Sequence, residues 1–476
     1  TLHYQALITR FDQFITLLNL QEFLEWDEAV MMPVGGSDQR NEAIALLEKL
    51  MQNLLSDPDA EQELAKAQLE ELSQSEKRNY TLMQSRCLEY NFGDKGLGID
   101  IAKANKVGEQ VWRTCRANND WESFRPYLER VVELQLRKAE CLSEKTGKDP
   151  YDNLIAHYCP DLTQAEISPL FDTLKSTLPA LVQKLSSPST QDQHLIKNIP
   201  IKQQQALLHD VIRIMGFDEQ CGRLDVSSHP FSSGTASDVR ITTRYDENYF
   251  LESLTGVFHE TGHALYEQQL PDRSPKKIID LSYGMVVHES QSLLMEKFIC
   301  RSQPFLDFLT PIINQHFSTQ FNAQSLYAAL HCVAPGLIRT QADSVTYPLH
   351  IIIRYEIEQA LFNKSITVKD LPAVWNEKVQ AYLGLQTDSD ANGVMQDVHW
   401  AGGDFGYFPA YALGLLLAAQ LFESLQEDLP TMKADLASGQ FHAINDWLKQ
   451  GIHQQGSSRT FNELVSHATK APLQVD

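Results

Sequence analysis

The sequence is poor in cysteine and has no CxxC pair, the spacing that many cysteine zinc sites use. Its seven cysteines are odd in number and widely dispersed along 476 residues. Scattered free thiols are typical of proteins kept in a reducing cytosol, so we expect a cytoplasmic location and no cysteine-bound metal. The cysteines are Cys87, Cys115, Cys141, Cys159, Cys221, Cys300 and Cys332.

Long basic runs and long apolar runs are also missing. The 40 Lys and Arg against 62 Asp and Glu give a net charge of −22, and without a basic run we expect no nucleic-acid partner. The longest apolar stretch, residues 411–422, is shorter than the roughly 18 residues that a spanning helix needs, so we expect no membrane partner. Residues 1–20 lack the order of a signal peptide and instead predict an amphipathic helix.

What the sequence has in abundance is helical periodicity. In residues 1–24 apolar side chains repeat at three- and four-residue steps, as at Leu7, Phe11 and Phe14. The same pattern predicts helices over residues 41–55, 61–72, 75–90 and 123–146, so we expect packed helical hairpins over about residues 1–185. The polar segment 186–200 predicts a surface loop rather than a domain boundary.

One region has the period of strands. Residues 223–249 contain turn residues followed by the alternating sequence DVRITTRY, which predicts a small antiparallel sheet near residues 223–250. Helices resume at about residue 251 and continue to the end. The expected fold class is therefore mainly α with this one small sheet.

The pattern HETGH at residues 259–263 lies inside a predicted helix over residues 251–270. One helical turn separates His259 from His263, so both imidazoles can reach one metal ion, while Glu260 lies beside them near a water molecule. This spacing is typical of zinc peptidases. The simpler alternative is a helix with two satisfied histidines in the core.

A catalytic zinc usually has three protein ligands, so a third must come from elsewhere in the chain. In the next predicted helix Glu289 shares a face with Met285 and Leu293, and a carboxylate facing an apolar surface needs a partner such as a cation. Glu296 is a competing choice, as is His288, which points about 100° away from Glu289. A glutamate on a solvated helix face remains the simplest alternative.

Polar side chains also cluster on a predicted strand and a predicted helix. Asp238, Arg240 and Thr242 alternate on one strand face, as at a sheet edge lining a cleft, although a plain surface ladder is the simpler interpretation. Arg339 and Asp343 are four residues apart on a predicted helix, where an ordinary ion pair is the simpler interpretation.

A further polar segment, GVMQDVHW at residues 393–400 followed by AGGDFGYFP, mixes glycine with aromatic side chains. His399, Tyr407 and Tyr411 lie in or just after it. This composition suits a loop beside a site, although a plain surface loop explains it as well.

Taken together, these motifs resemble the carboxypeptidase Taq family of metallocarboxypeptidases. The motifs are HETGH, DVRIT at 238–242, HESQ at 288–291, IRTQAD at 338–343 and GVMQDVHW at 393–400, and they stand in the order of the family. The resemblance runs nearly end to end, from LEWDEAVMMPVGG at 24–36 to FGYFPAYALG at 405–414. Leu415 departs from the polar residue expected after YALG and puts no catalytic role in doubt.

The resemblance implies one peptidase domain over residues 1–476, with a catalytic region at about 200–476, a helical zinc-peptidase fold and a deep substrate cleft. It implies that His259, His263 and Glu289 bind the metal and that Glu260 is the general base. It also implies a homodimer that removes C-terminal residues from peptides with broad specificity.

The resemblance further implies substrate-contacting or transition-state-stabilising roles for His229 and His399. Tyr407, Tyr411 and His399 are the candidates for stabilising the oxyanion. A free C-terminal carboxylate calls for a guanidinium, for which Arg339 is the first choice and Arg240 the second, and we include Asp238 among the candidate substrate-binding residues.

Zn²⁺ is the expected cofactor, although Co²⁺ or another divalent ion suits the same ligands. The partner is expected to be a peptide with a free C-terminus. The alternative functions are a zinc endopeptidase, a dipeptide-releasing oligopeptidase and, in a different class, a peptide-binding protein with a structural metal.

Overall fold

The computed structural model describes residues 2–93, 95–186 and 196–475. Helices dominate it, as predicted. In chain order they are α1 (Leu2–Val30), α2 (Ser37–Ser56), α3 (Pro58–Ala67), α4 (Gln74–Tyr90), α5 (Lys95–Ala117), α6 (Trp121–Thr146), α7 (Pro150–Tyr158), α8 (Gln164–Leu185), α9 (Ile201–Met215), α10 (Phe250–Gln268), α11 (Met285–Leu293), α12 (Gln303–Phe317), α13 (Ala323–Leu330), α14 (Tyr347–Phe362), α15 (Leu371–Leu383), α16 (Phe408–Asp428), α17 (Met432–Leu436), α18 (His442–Gly451) and α19 (Phe461–Thr469).

The apolar core has a large part and a small part, besides a minor cluster of Leu97, Ile101 and Leu134. The large part extends from α5 to α19 and contains the buried faces of α10, α11, α14 and α16. The small part joins α1 to α4, where Leu7, Phe11 and Phe14 are buried as their spacing predicts. The helices α6 to α8 contribute to the large part. The N-terminal helices of the small part are therefore α1 to α4, which end near residue 90. The division near residue 185 stays a prediction.

The small sheet is mixed rather than antiparallel. Its strands are β1 (Gly222–Val226), β2 (Ser232–Thr235) and β3 (Asp238–Thr243), in the spatial order β1, β3, β2. β2 and β3 form an antiparallel pair, whereas β1 crosses over to pair in parallel with the far edge of β3. The expected antiparallel arrangement is therefore wrong for β1, because alternation along the sequence predicts a strand but not its neighbour. Val239 and Ile241 of β3 are buried in the large core.

Two segments singled out in the sequence remain, the predicted loop at residues 186–200 and the longest apolar stretch, which lies in α16. Residues 187–195, most of the predicted loop at 186–200, lie outside the described residues. α16 is the one helix among the described residues that is long and apolar enough to cross a membrane. Two thirds of its apolar window (67 %) is buried against the rest of the protein, as in a core helix.

Candidate metal centre

Two glycines allow α10, α11 and α16 to approach closely. A Cβ atom at Gly262, within HETGH, would lie 2.5 Å from the carbonyl oxygen of Gln291 and 2.6 Å from Cα of Ser292. On the other side, a Cβ atom at Gly414 of α16 would lie 2.9 Å from Cβ of Glu289. Any side chain at either glycine would therefore force α11 away from its neighbours.

Three side chains from α10 and α11 converge in this region. The ligand atoms of His259, His263 and Glu289 all lie within 4.8 Å of one another. Oε2 of Glu289 is 3.6 Å from Nε2 of His259 and 3.8 Å from Nε2 of His263. Two imidazoles and a carboxylate at this spacing fit a divalent ion that keeps a position open for other ligands. The structure thus brings the three predicted metal ligands together.

Glu296 and His288, the competing ligand candidates, contact the Nδ1 atoms of the two histidines, on the ring side opposite Nε2. Nδ1 of His259 lies 3.0 Å from Oε2 of Glu296. Nδ1 of His263 lies 2.6 Å from Nδ1 of His288, whose Nε2 is in turn 2.6 Å from Oε1 of Glu267. Partners of this kind fix the orientation of metal-binding imidazoles. Glu296 and His288 therefore lie outside the His259, His263 and Glu289 group, in contact with its two histidines.

Glu296 reaches His259 from a π-helical segment, Leu294–Ile299, that continues α11. Its second oxygen, Oε1, accepts hydrogen bonds or ion pairs from Lys297 and Arg301. Burial would raise the pKa of Glu296, but these two cations and His259 hold it well below its usual value. The carboxylate that faces His259 is therefore charged.

The charges around α10 are predominantly negative. Burial would lower the pKa of His259, but Glu296, Glu289 and Glu260 outweigh it and raise that pKa to about 9. The same negative field favours a bound cation. Burial also raises the pKa of Glu260 to about 7, with His259 opposing and Glu289 adding to the shift. No hydrogen bond to the Glu260 carboxylate is found among the described residues.

Arg339 is buried and pairs with Asp397, not with Asp343. Its Nε and Nη2 donate to Oδ1 of Asp397 at 3.0 and 2.8 Å. Asp343 instead accepts from the backbone and side chain of Thr346, where α14 begins. The predicted ion pair is wrong because Arg339–Gln341 forms a 3₁₀ turn, in which residues four apart do not share a face as in an α-helix.

A second arginine holds the other oxygen of Asp397. Nε of Arg354 donates to its Oδ2 at 2.7 Å. Burial would raise the pKa of Asp397, but Arg354 and Arg339 hold it far below its usual value. The Nη1 atom of Arg339 is not bonded to Asp397 and lies 3.5 Å from the hydroxyl of Tyr347, while the guanidinium lies 5.1 Å from the ring centre of Tyr411. The Nη1 edge of the guanidinium therefore faces the tyrosines and donates a long hydrogen bond to Tyr347.

His399, Tyr407 and Tyr411 form one aromatic group. Nε2 of His399 lies 3.4 Å from the hydroxyl of Tyr411, and the two tyrosine rings are 5.0 Å apart. Burial raises the pKa of both tyrosines, and the Glu289 carboxylate adds to the shift, so this group is within electrostatic reach of the metal-ligand cluster. Burial and Arg339 lower the pKa of His399 to about 4, and its Nδ1 is buried without a hydrogen-bond partner among the described residues.

The other predicted substrate-binding residues are engaged elsewhere. Asp238 accepts from Nε and Nη2 of Arg240 at 2.6 and 2.9 Å, and that guanidinium lies 4.4 Å from the ring centre of Trp26 on α1. His229 is exposed in the connection between β1 and β2. Among the described residues, no hydrogen bond or ion pair joins Asp238, Arg240 or the imidazole of His229 to the metal-ligand cluster.

A cavity of about 960 Å³ adjoins the site. Its walls come from α1, α4, α7, β2 and the connection between α10 and α11. His288 and Tyr407 line it, whereas His259, His263 and Glu289 do not. The cavity therefore adjoins the metal-ligand cluster without containing it.

Four residues of the site and its surroundings are not evident as functional residues from the sequence: Glu267, Asp397, Arg354 and Glu358. For Arg354 and Glu358 a partial signal exists, because their helix, YPLHIIIRYEIEQALF, is rich in apolar residues, and both side chains are fully buried, at 0 % exposure. A charge in an apolar helix requires a buried partner. The partner of Arg354, Asp397, comes from a segment distant in the sequence, so no local pattern could identify it.

A His-His-Glu group in which His263 and Glu289 are buried and His259 is partly buried, beside the buried Glu260 in a helical fold, is typical of the metallopeptidases. The model of the carboxypeptidase Taq (M32) metallopeptidase family matches residues 6–476. The chain belongs to this family and is a metallocarboxypeptidase.

Individual relatives agree along nearly the whole chain. Carboxypeptidase 1 of Bacillus subtilis is 36% identical over 461 residues, which cover 95% of this chain and 91% of that protein. Thermostable carboxypeptidase 1 of Thermus thermophilus is 35% identical, with 98% and 94% covered. The structure of Trypanosoma cruzi metallocarboxypeptidase 1 superimposes with a TM-score of 0.95 at 34% identity, covering 99% of this chain and 97% of that one.

Proposed function

We propose that this protein is a zinc-dependent carboxypeptidase that removes single residues from the free C-terminus of peptides with broad specificity. The observation that carries the proposal is the His259, His263 and Glu289 group, whose ligand atoms lie within 4.8 Å of one another beside the buried Glu260. A structural zinc site would usually recruit a fourth protein ligand, whereas this donor set has three members.

In the mechanism we propose, His259, His263 and Glu289 hold the ion. The chemistry that such an ion supplies when bound is Lewis acidity, which polarises a carbonyl and lowers the pKa of water. Glu260 accepts the proton of the attacking water and passes it to the leaving amine. Its position one residue after His259 on α10, without a hydrogen bond from the described residues, leaves its carboxylate available for this transfer.

The aromatic group supplies the donors for the developing oxyanion. Tyr407 and Tyr411 remain protonated at neutral pH because burial raises the pKa of both hydroxyls, so each can donate a hydrogen bond. Nε2 of His399 contacts the Tyr411 hydroxyl and helps to orient it.

Arg339 binds the C-terminal carboxylate of the substrate. Asp397 holds one edge of its guanidinium, and the Nη1 edge, whose one hydrogen bond is the long contact of 3.5 Å with the Tyr347 hydroxyl, is the edge that we propose the substrate carboxylate meets. Arg240 is the weaker candidate because its guanidinium is stacked on Trp26 of α1, whereas that of Arg339 lies beside Tyr411 of the aromatic group. We retain Asp238 and His229 only as residues of the outer substrate path.

Time-resolved mass spectrometry of one unmodified peptide, with metal analysis of the same preparation, tests the proposed function. We expect products shortened by one C-terminal residue at a time and about one zinc ion per chain, by the three-ligand chemistry of such sites. Internal cuts would indicate an endopeptidase instead, and loss of two residues at a time a dipeptide-releasing enzyme. Reloading metal-free protein with Zn²⁺ or Co²⁺ separately identifies the ion that supports the reaction.

We expect Glu296→Gln to weaken metal binding about 10- to 100-fold, because the charged carboxylate behind His259 orients that ligand and raises its basicity. The measurement is the metal Kd in competition with a chelating indicator. Glu356→Gln is the matched control, since Glu356 also pairs with two cations, Lys175 and Lys378, on another face of the protein. Equal metal Kd values for Glu296→Gln and the wild type would remove Glu296 from this role.

We also propose a homodimer in the cytoplasm. The family resemblance supports the dimer, and the seven free cysteines support the reducing location. Sedimentation of the purified chain tests the first proposal and cell fractionation the second.

A further inference from the structure

α14 carries a buried carboxylate that the proposed mechanism does not use. Glu358 is fully buried, and its two oxygens receive hydrogen bonds from three donors. The indole Nε1 of Trp400 donates to Oε1 at 2.7 Å. The hydroxyl of Tyr151 and the backbone N–H of Gly406 donate to Oε2 at 2.6 and 2.8 Å.

Two of these donors belong to the segment that presents the aromatic group. Trp400 directly follows His399, and Gly406 directly precedes Tyr407. Glu358 therefore fastens the loop on the C-terminal side of His399 and again where it enters α16. The third donor, Tyr151, comes from α7 and lies outside the loop.

Arg354, one helical turn before Glu358 on the same face of α14, also binds this loop. Arg354 donates to Oδ2 of Asp397 at 2.7 Å and to Oε1 of Gln396 at 2.8 Å. Residues 396–407 are thus bound to α14 on both sides of His399. At Gly406, φ is +85° and a Cβ atom would lie 2.6 Å from the backbone of Leu154, so the end of the loop is also pressed against α7.

The chemistry of Glu358 suits this role better than that of a neutral side chain. A carboxylate offers acceptors only, whereas an amide would place an NH₂ group against one of the donors. Burial raises the pKa of Glu358 to about 7, while its three hydrogen bonds and Arg354 act in the opposite direction. A fully buried carboxyl group that is held by three donors, two of which belong to a site loop, points to a requirement for the position of that loop.

We propose that Glu358 is a positioning residue for catalysis: by accepting hydrogen bonds from Trp400 and Gly406, it fixes the loop so that His399 and Tyr407 face the metal centre. The inference rests on the proposed function, because it assumes that this aromatic group stabilises the transition state.

Glu358→Gln is the principal test. With its oxygen towards Tyr151 and Gly406, the glutamine amide would face the Trp400 N–H, donor against donor, and loosen the loop. We expect kcat to fall about 10- to 100-fold, as for displaced catalytic groups, with KM and the metal Kd little changed. A wild-type kcat in a folded Glu358→Gln variant would overturn the proposal.

Two further variants separate positioning from stability. Tyr151→Phe removes a donor to the same carboxylate from outside the loop, so it is expected to lower Tm but leave kcat at the wild-type value. Trp400→Phe combined with Glu358→Gln removes the conflict of donors, so the double variant is expected to have a higher kcat than Glu358→Gln alone. Equal kcat losses in Tyr151→Phe and Glu358→Gln, or no recovery in the double variant, would show a merely structural role.

If Glu358→Gln does not fold, Trp400→Phe alone decides the question, because it deletes one fastening of the loop and leaves Glu358 in place. A lower kcat supports the proposal, and an unchanged kcat contradicts it. Tyr407→Phe and His399→Ala separate the proposed roles of the aromatic group from the positioning role of Glu358. If neither lowers kcat, the proposed roles of the aromatic group fail; if both do and Glu358→Gln does not, only the positioning role fails.

Discussion

Replacing Glu260 with glutamine is expected to lower kcat about 10²- to 10⁴-fold while the metal content stays at the wild-type value. Glutamine has the shape of glutamate but cannot accept the proton of the attacking water. The metal should stay because His259, His263 and Glu289 form the donor cluster without Glu260. The measurements are kcat on a free peptide and the metal content of the same preparation.

The matched control is Glu252→Gln, on the exposed side of the same helix, where the carboxylate pairs with Arg244. This variant is expected to have the kcat of the wild type. If Glu260→Gln retains both metal and full activity, Glu260 is not the general base and the alternative of a structural metal returns. If it loses the metal, the experiment reports on the site and not on proton transfer.

Helical spacing predicts much of the metal centre because the relevant contacts are local or lie on one helix face. A separation of four residues places His259 and His263 together, and the apolar neighbours of Glu289 indicate that its carboxylate needs a partner. The same spacing leaves Glu296 and His288 as competing ligands. Only the tertiary packing distinguishes them, since it places both on the Nδ1 sides of the two histidines.

The predictions that need long-range pairing are the ones that the structure changes. The period of β3 is evident in the sequence, but the parallel neighbour β1 is set by a crossover that alternation does not encode. Arg339 illustrates the same limit. A local rule pairs it with Asp343, whereas the structure pairs it with Asp397, which belongs to the loop before α16.

The pairing of Arg339 also bears on the net charge of −22, which opposes an approaching carboxylate. Two arginines, Arg339 and Arg354, surround the single carboxylate of Asp397. The two guanidinium charges and the one carboxylate charge add up to a local excess of one positive charge next to the aromatic group. In the function that we propose, recognition of a C-terminal carboxylate would therefore depend on this small region and on the metal, not on the overall field.

Arg339→Ala is accordingly expected to lower kcat/KM for peptides with a free C-terminus about 10²- to 10³-fold, the cost of truncating one partner of a buried charged pair. The loss should be much smaller for the matched peptide amides, because an amide offers no charge to the guanidinium. We therefore expect the preference for free over amidated peptides to collapse. The measurements are kcat/KM for both peptides, or the Ki of each as an inhibitor, with Tm recorded because Arg339 is buried.

Arg240→Ala provides the control, since this arginine was the second candidate in the sequence but is bound to Asp238 and stacked on Trp26. It should keep the preference of the wild type for free peptides. Equal losses on free and amidated peptides in Arg339→Ala would remove Arg339 from carboxylate recognition and leave it as a support for Asp397. If Arg240→Ala instead loses activity only on free peptides, the C-terminal carboxylate of the substrate binds at β3. The peptide would then run through the site in a different direction.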